Sequence, residues 1–194
     1  MLELLNNLDI KLFLSLNRLH CPFGDTIMPY FSRMSGLSVW IPLYLLTVYL
    51  IFRKFHLKGF WVLLFIALCV TLTDMVSFHA FKEVFHRLRP CHDPSISHLV
   101  HTLSKKGGGL YGFVSSHAAN VFGVAMFTSF LLKKKWFTVI IFLWAFLVSY
   151  SRIYLGAHFP GDIAGGVILG MLVGWTVYWL QKILIDHLPP AKKI

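Results

Sequence analysis

Three groups of residues have the types and spacing that suit work on a phosphate. Lys82 and Arg89 stand seven residues apart, about two helical turns, so a helix would present both from one face. Pro90 disfavours helix at Arg89 and is expected to end the element there. Either cation alone has a plainer use at the rim of an apolar helix, where it snorkels to lipid headgroups. Ser115-Ser116-His117 opens an apolar run. A serine there caps the helix, whose first N–H groups point outward and favour an anion, and His117 at the water boundary could hold or release a proton. The plain reading is an N-cap followed by an interfacial histidine.

The third group is Ser151-Arg152, His158 and Asp162, the last two four apart around Pro160 and Gly161. A carboxylate bonded to one ring nitrogen fixes the tautomer and leaves the other nitrogen free to attack. The alternatives are an Asp cap on the next helix and a pair of metal ligands. Metal is disfavoured because no further carboxylate or cysteine set accompanies the pair. Together the groups supply three cations, a helix N-terminus, two histidines and an orienting carboxylate. That set suits phosphoryl transfer with no metal or other cofactor: Lys82, Arg89, Arg152 and backbone N–H groups meet the non-bridging oxygens, and two histidines attack and protonate.

The elements that must position these residues are apolar helices. A membrane span needs about 20 apolar residues, and five candidates occur, at residues 36–52, 59–81, 117–132, 136–150 and 163–180. The fourth is short and is expected to borrow a turn at each end. Leu5, Leu8, Leu12, Leu16 and Leu19 recur at helical spacing, interrupted by Asn6, Asn7, Asn17 and Arg18. That pattern fits an amphipathic helix lying in the interface, with a tilted sixth span as the alternative. His20 to Asp25, with Pro22 and Gly24, reads as a turn. The expected architecture is all-α: one membrane-embedded domain over residues 1–194, with an interfacial helix and turn in 1–30 and a five-span bundle in 36–181.

Composition agrees. Of 194 residues, 57% are hydrophobic and 13% charged, and mean hydropathy is +0.69; a soluble domain would be about one-quarter charged. The net charge of +10 reads as basic loops flanking spans, not as a nucleic-acid surface. Glu3 and Asp9 sit where a signal peptide would be cationic, so insertion depends on the spans themselves. Arg53, Lys54, Lys58, Lys133, Lys134, Lys135, Lys192 and Lys193 share one side, expected to be cytoplasmic. The three chemical groups fall on the other side, expected to face away from the cytoplasm.

The pattern Lys82-x6-Arg89-Pro90, Ser115-Ser116-His117, Ser151-Arg152-x5-His158-x3-Asp162 resembles the three-part signature of the type 2 phosphatidic acid phosphatase family, related to vanadium haloperoxidases, over roughly residues 60–180. The resemblance implies that His158 becomes phosphorylated, Asp162 orients it and His117 is the general acid. It implies that Lys82, Arg89, Ser115 and Arg152 bind phosphate. The family's middle motif usually reads Pro-Ser-Gly-His; here it is Val114-Ser115-Ser116-His117. Ser116 keeps the phosphate-binding N–H provided the backbone avoids φ > 0, and its hydroxyl could add a hydrogen bond. The implied activity is a lipid phosphate phosphatase of the bacterial inner membrane, with its site facing the periplasm or the exterior. The outward site favours undecaprenyl diphosphate; phosphatidylglycerol phosphate, phosphatidic acid and lipid A are the alternatives. A haloperoxidase is disfavoured by the spans. A non-catalytic transporter is disfavoured because Asp74 is the one clear mid-span acid.

The remaining polar residues have quieter expectations. Asp74 is read as bonding to a neighbouring helix. His79 and His86 flank Lys82, and His86 is read as packing behind it. His92, His98 and His101 are read as solvated. Gly107-Gly108-Gly109 is read as a linker within the 91–114 loop. Cys69 is read as core, and a Cys21–Cys91 disulfide is open if both face an oxidising compartment. Trp40, Trp61, Trp136 and Trp144 anchor and pack. Gly165, Gly166, Gly170 and Gly174 allow close helix packing within or between chains.

Overall fold

The computed structural model describes residues 2–34, 38–103 and 109–186. Gly36, Gly107, Gly108, Lys192 and Lys193, which entered the expectations above, lie outside the described residues. Among the described residues the fold is helical with no strand, in the order α1 (Leu2–Asn17), α2 (Pro22–Ser32), α3 (Ile41–Phe55), α4 (Gly59–Met75), a π-helical stretch Val76–Lys82, a single turn α5 (Glu83–Phe85), α6 (Ser116–Leu132), α7 (Lys135–Tyr154) and α8 (Pro160–Asp186).

Among the described residues, three stretches are long and apolar enough to cross a membrane: Ile41–Phe85, Lys135–Tyr154 and Pro160–Leu184. The first is broken at His56, whose backbone turns to φ 49, ψ −134, so α3 and α4 are separate helices. The 20 residues of α7 span about 30 Å at 1.5 Å per residue, the thickness of a bilayer's hydrocarbon core. It gains its extra turn at the C-terminal end alone. The chain is an integral membrane protein.

One expectation about the early chain needs correction. His20 to Asp25 is not simply a turn, because α2 starts at Pro22. Proline fits the first helical position, where its missing N–H costs nothing, and Cys21 Sγ caps the helix by accepting from Gly24 N at 3.4 Å. Cys21 and Cys91 are both free thiols, so no disulfide joins them. On α1, Leu5, Leu8 and Leu12 are exposed, while Phe13 and Asn17 are buried. The helix therefore packs through Phe13, against Phe159 at a ring-centroid distance of 5.3 Å, and turns its leucine face outward.

Residues of α3, α4, α6, α7 and α8 form the main core, from Ile51 and Val62 through Phe127 and Trp144 to Val177, and Cys69 is fully buried within it. The glycines of α8 bring that helix onto α6. A Cβ at Gly170 would strike the Ala119 backbone, and one at Gly174 the Gly123 backbone, so only glycine permits this approach. Asp74 plays the bonding role expected of it, accepting from Asn120 Nδ2 at 3.1 Å. Lys54 Nζ donates to Leu131 O at 2.7 Å, satisfying a carbonyl left open at the C-terminal end of α6. The C-terminal ends of α3 and α6 and the start of α7 thus gather lysines at one end of the bundle. The last turn of α4–α5, the start of α6, the end of α7 and the start of α8 meet at the other.

Candidate active site

All eight residues singled out at this end are brought into one region, through different devices. Lys82 and Arg89 do not share a helical face as expected. The helix stops at Phe85 because His86 adopts a left-handed conformation, φ 48, four residues before Pro90. Arg89 then runs extended, φ −72, ψ 155. An antiparallel bridge between Leu88 and Tyr111 holds this segment, with Arg89 N bonded to Leu110 O at 3.1 Å and Gly112 N to Arg87 O at 2.8 Å. Gly112 is required there: a Cβ would sit 2.8 Å from Asp162 Oδ2.

Lys82 Nζ donates to Ser116 Oγ at 2.6 Å, and Ser116 Oγ lies 2.7 Å from Ser77 Oγ. The hydroxyl that replaces the usual glycine therefore does add hydrogen bonds. Ser116 is the first helical residue of α6 and is not among the residues with positive φ. Ser115 is fully buried and caps α6, its Oγ accepting from Ala118 N at 3.4 Å, while its N–H donates to Asp162 O at 3.0 Å. Arg152 Nη1 donates to Ser32 Oγ, so α2 positions this cation. His117 feels the electrostatic influence of Arg152, His158, Arg89 and Lys82 together.

His158 is buried in the turn between α7 and α8. Arg89 Nη1 lies 3.1 Å from its Nε2 and 3.2 Å from Ala157 O. A guanidinium only donates, so Nε2 carries the lone pair and the proton sits on Nδ1. Nδ1 lies 3.5 Å from Asp162 Oδ2, longer than a good hydrogen bond, with the Gly112 backbone also beside the ring. Burial first, then Arg89, Arg152 and Lys82, hold this imidazole well below the usual histidine range. It is a neutral base aimed at a cation.

Asp162 serves two geometries at once. Oδ2 reaches back from the third position of α8 to accept from Phe159 N at 2.9 Å, a capping-box contact. Oδ1 accepts from Arg87 Nη1 at 2.9 Å. Arg87 also donates through Nη2 to Asp9 Oδ2 at 2.7 Å and Asn6 Oδ1 at 3.2 Å, and lies over the Phe159 ring at 4.3 Å. Asp9 in turn accepts from Gly161 N at 2.8 Å. Sequence reasoning missed Arg87 and Asp9. Arg87 lies inside the variable stretch between Lys82 and Arg89, and Asp9 carried no signal beyond breaking a cationic N-terminus. A carboxylate at the mouth of an apolar helix needs a cation nearby, and that is the signal that could have prompted a search for Arg87.

Of the surrounding histidines, His86 is exposed and packs edge-on against Tyr111 at 4.8 Å, and His79 pairs with Glu83 on the outside at 2.8 Å. His98 is exposed as expected. His92 and His101 are not simply solvated; both are half-buried, because the segment outside the bundle at residues 90–103, the outer segment, folds back over α1 and α7. A cleft of about 630 Å³ lined by Leu5, Leu8, Leu12, Phe85 and Phe113 leads to Arg87 and Gly161.

The PAP2 superfamily model matches residues 58–185. Lipid A 4'-phosphatase of Bacteroides thetaiotaomicron is 38% identical over 97% of this chain and 83% of its own. An undecaprenyl-diphosphatase of Sulfolobus acidocaldarius is 27% identical over 96% of this chain and 82% of its own. The fold is similar to a crystal structure of a transmembrane PAP2 type phosphatidylglycerolphosphate phosphatase from Bacillus subtilis, with a TM-score of 0.66 at 23% identity, covering 97% of this chain and 89% of that one. A match over this much of the chain, on a fold whose three motifs meet at one end of a membrane bundle, means that the chain belongs to the PAP2 superfamily and is a membrane lipid phosphatase.

Proposed function

We propose that the protein hydrolyses a phosphate monoester of lipid A by way of a phosphohistidine at His158. The observation that carries the chemistry is the contact of Arg89 Nη1 with His158 Nε2, a phosphate-binding donor parked on a nucleophile's lone pair. Lipid A takes precedence over the undecaprenyl diphosphate favoured from the sequence because the 38% identical relative is a lipid A 4'-phosphatase, whereas the undecaprenyl-diphosphatase is 27% identical.

In this reading the substrate phosphate enters between Arg89 and His158, and Lys82, Arg89, Arg152 and the first N–H groups of α6 meet its non-bridging oxygens. His158 Nε2 attacks phosphorus, the bond to the sugar oxygen breaks, and His117 donates a proton to that oxygen. Asp162 steadies the imidazolium through Nδ1–H. Water then attacks the phosphohistidine with His117 taking its proton, the P–N bond breaks, and inorganic phosphate leaves. Every proton is handled by this chain's own groups, so the step is metal-independent. Ser115, buried as a cap, contributes its place in the loop more than its hydroxyl.

The same reading takes the chain as a single domain of five spans, α3, α4, α6, α7 and α8, with α1 in the interface. The lysine-rich end faces the cytoplasm and the site faces the periplasm, following the positive-inside tendency. Acyl chains stay in the bilayer beside the leucine-lined cleft. The test is phosphate release by purified protein from lipid A, undecaprenyl diphosphate and phosphatidylglycerol phosphate in parallel. Lipid A should give the highest kcat/KM. A higher value for the diphosphate would replace the substrate, and release unaffected by His158→Ala would remove the mechanism.

A further inference from the structure

A second cluster of ligand-bearing side chains lies outside the phosphate site. His20 comes from the turn between α1 and α2, Asp25 from the first turn of α2, and His101 from the outer segment. Their ligand atoms all lie within 4.8 Å of one another. His101 Nε2 is 2.8 Å from Asp25 Oδ1, and the His20 ring stacks on His101 with centroids 3.9 Å apart and planes 10° from parallel.

Two of the three are anchored from behind. Tyr154 donates its hydroxyl proton to Asp25 Oδ1 at 2.6 Å and accepts from Cys21 N at 3.1 Å. Asn17 grips the His101 backbone from both sides, accepting its N–H at 2.8 Å and donating to its carbonyl at 3.1 Å. A carboxylate held by an outer hydrogen bond and an imidazole carried on a pinned backbone give a metal centre two placed ligands. None of these groups has work in the hydrolysis derived above.

We propose that His20, Asp25 and His101 bind a divalent transition-metal ion of the zinc class. Two imidazole nitrogens and one carboxylate oxygen suit zinc, with water completing four-coordination. Magnesium and calcium prefer all-oxygen sets. The ion takes the place of the hydrogen between His101 Nε2 and Asp25 Oδ1, and the ring that ligates through Nε2 is the neutral tautomer with its proton on Nδ1. Bonds of about 2.0–2.1 Å bring tetrahedral ligand atoms to about 3.3 Å apart. His20, exposed between α1 and α2, swings in from the stack to meet that spacing, while Asp25 and His101 part by about half an ångström from their present 2.8 Å on backbones that stay anchored. The bound ion staples the outer segment to the α1–α2 turn above Tyr154, two residues beyond Arg152. It is a structural clamp and takes no part in phosphoryl transfer, so it stands or falls apart from the phosphatase reading.

The experiment uses the full chain in detergent, stripped with a chelator and titrated with zinc by calorimetry, with magnesium as the control. One equivalent of zinc should bind, magnesium should not, and Tm should rise on zinc addition. His20→Ala, which leaves the Asp25–His101 pair and its anchors intact, should weaken zinc binding by about tenfold or more, and His101→Ala should abolish it. Failure of the stripped protein to take up zinc, or an affinity unchanged in His20→Ala, would overturn the proposal.

Discussion

α6 and α8 are joined in two different ways along their length. Within the bundle they meet through bare backbone, Gly170 against Ala119 and Gly174 against Gly123. At their outer ends they meet through polar groups, with Ser115 N bonded to Asp162 O and Asp162 clasped by Arg87. The first contact is dispersion between close surfaces, which is dense and insensitive to pH. The second is a small number of charge-assisted bonds around a buried carboxylate, each costly to leave unpaired. The lesson is a division of labour. The bundle holds the helices at a fixed spacing, and the polar layer fixes Asp162 beside the His158 ring.

Substitutions that strike one layer should therefore leave the other's readout alone. The largest effect short of removing His158 itself is expected from Arg87→Ala. Asp162 would be left buried without its cation, a change that costs about 3–5 kcal/mol in comparable pairs. The kcat should fall by about 10–100-fold with KM little changed, since Arg87 holds Asp162 and not the phosphate. Arg87→Lys should recover only part, because an ammonium cannot reach Asp162, Asp9 and Asn6 together. Steady-state kinetics on the three proteins checks this. A fall in Tm with kcat per folded molecule intact would assign Arg87 to the bundle's side of the comparison.

Gly170→Leu tests the other layer. Its side chain has to displace the Ala119 backbone, and overpacking of this kind costs about 1–3 kcal/mol or more. Thermal denaturation in detergent should show a lower Tm, while the protein that stays folded keeps the wild-type pH–rate profile. Asp9→Ala should come next, with a kcat loss smaller than that of Arg87→Ala, because Arg87 keeps Asp162 and loses only its outer support. The two variants should be less than additive in a double-mutant cycle; strict additivity would show that Asp9 does not act through Arg87.

The smallest expected effect is a pH dependence of stability. His158 holds its folded pKa below its unfolded value of about 6.5, for burial first and neighbouring cations second. Below that unfolded value the unfolded chain binds a proton that the folded chain refuses, so stability falls as pH drops through about 6.5 and is unpenalised above it. The slope is at most one proton, about 1.4 kcal/mol per pH unit. Wild type should lose Tm between about pH 6.5 and 5 more steeply than His158→Gln. Equal slopes would mean that His158 is not the buried neutral base described above.

Much of the bundle could be read from the chain because membrane helices are written in local composition. The starts of α6 and α7 fall within one residue of expectation, and α4 differs mainly in running on through a π-helical stretch to Phe85. The same holds for the motif residues, whose types are rare in apolar surroundings. What escaped was long-range. Arg87 meets Asp9 across 78 positions and Asp162 across 75, and Arg152 meets Ser32 across 120. No spacing rule links such pairs, and each partner looks ordinary in its own neighbourhood. α2 escaped for another reason: Pro22 and Gly24 signal a turn and a helix start equally well, and only the packing against α7 and the Cys21 cap decide between them.

The central claim is that phosphorus passes through His158. Rapid acid-free quenching of the enzyme with lipid A labelled on its phosphate, followed by peptide mass spectrometry, measures it directly. The account predicts a phosphoryl group on the peptide carrying His158 in wild type, its absence in His158→Ala, and loss of phosphate release in that variant by about 10³-fold or more. Label on a different residue, or wild-type turnover by His158→Ala, would contradict it.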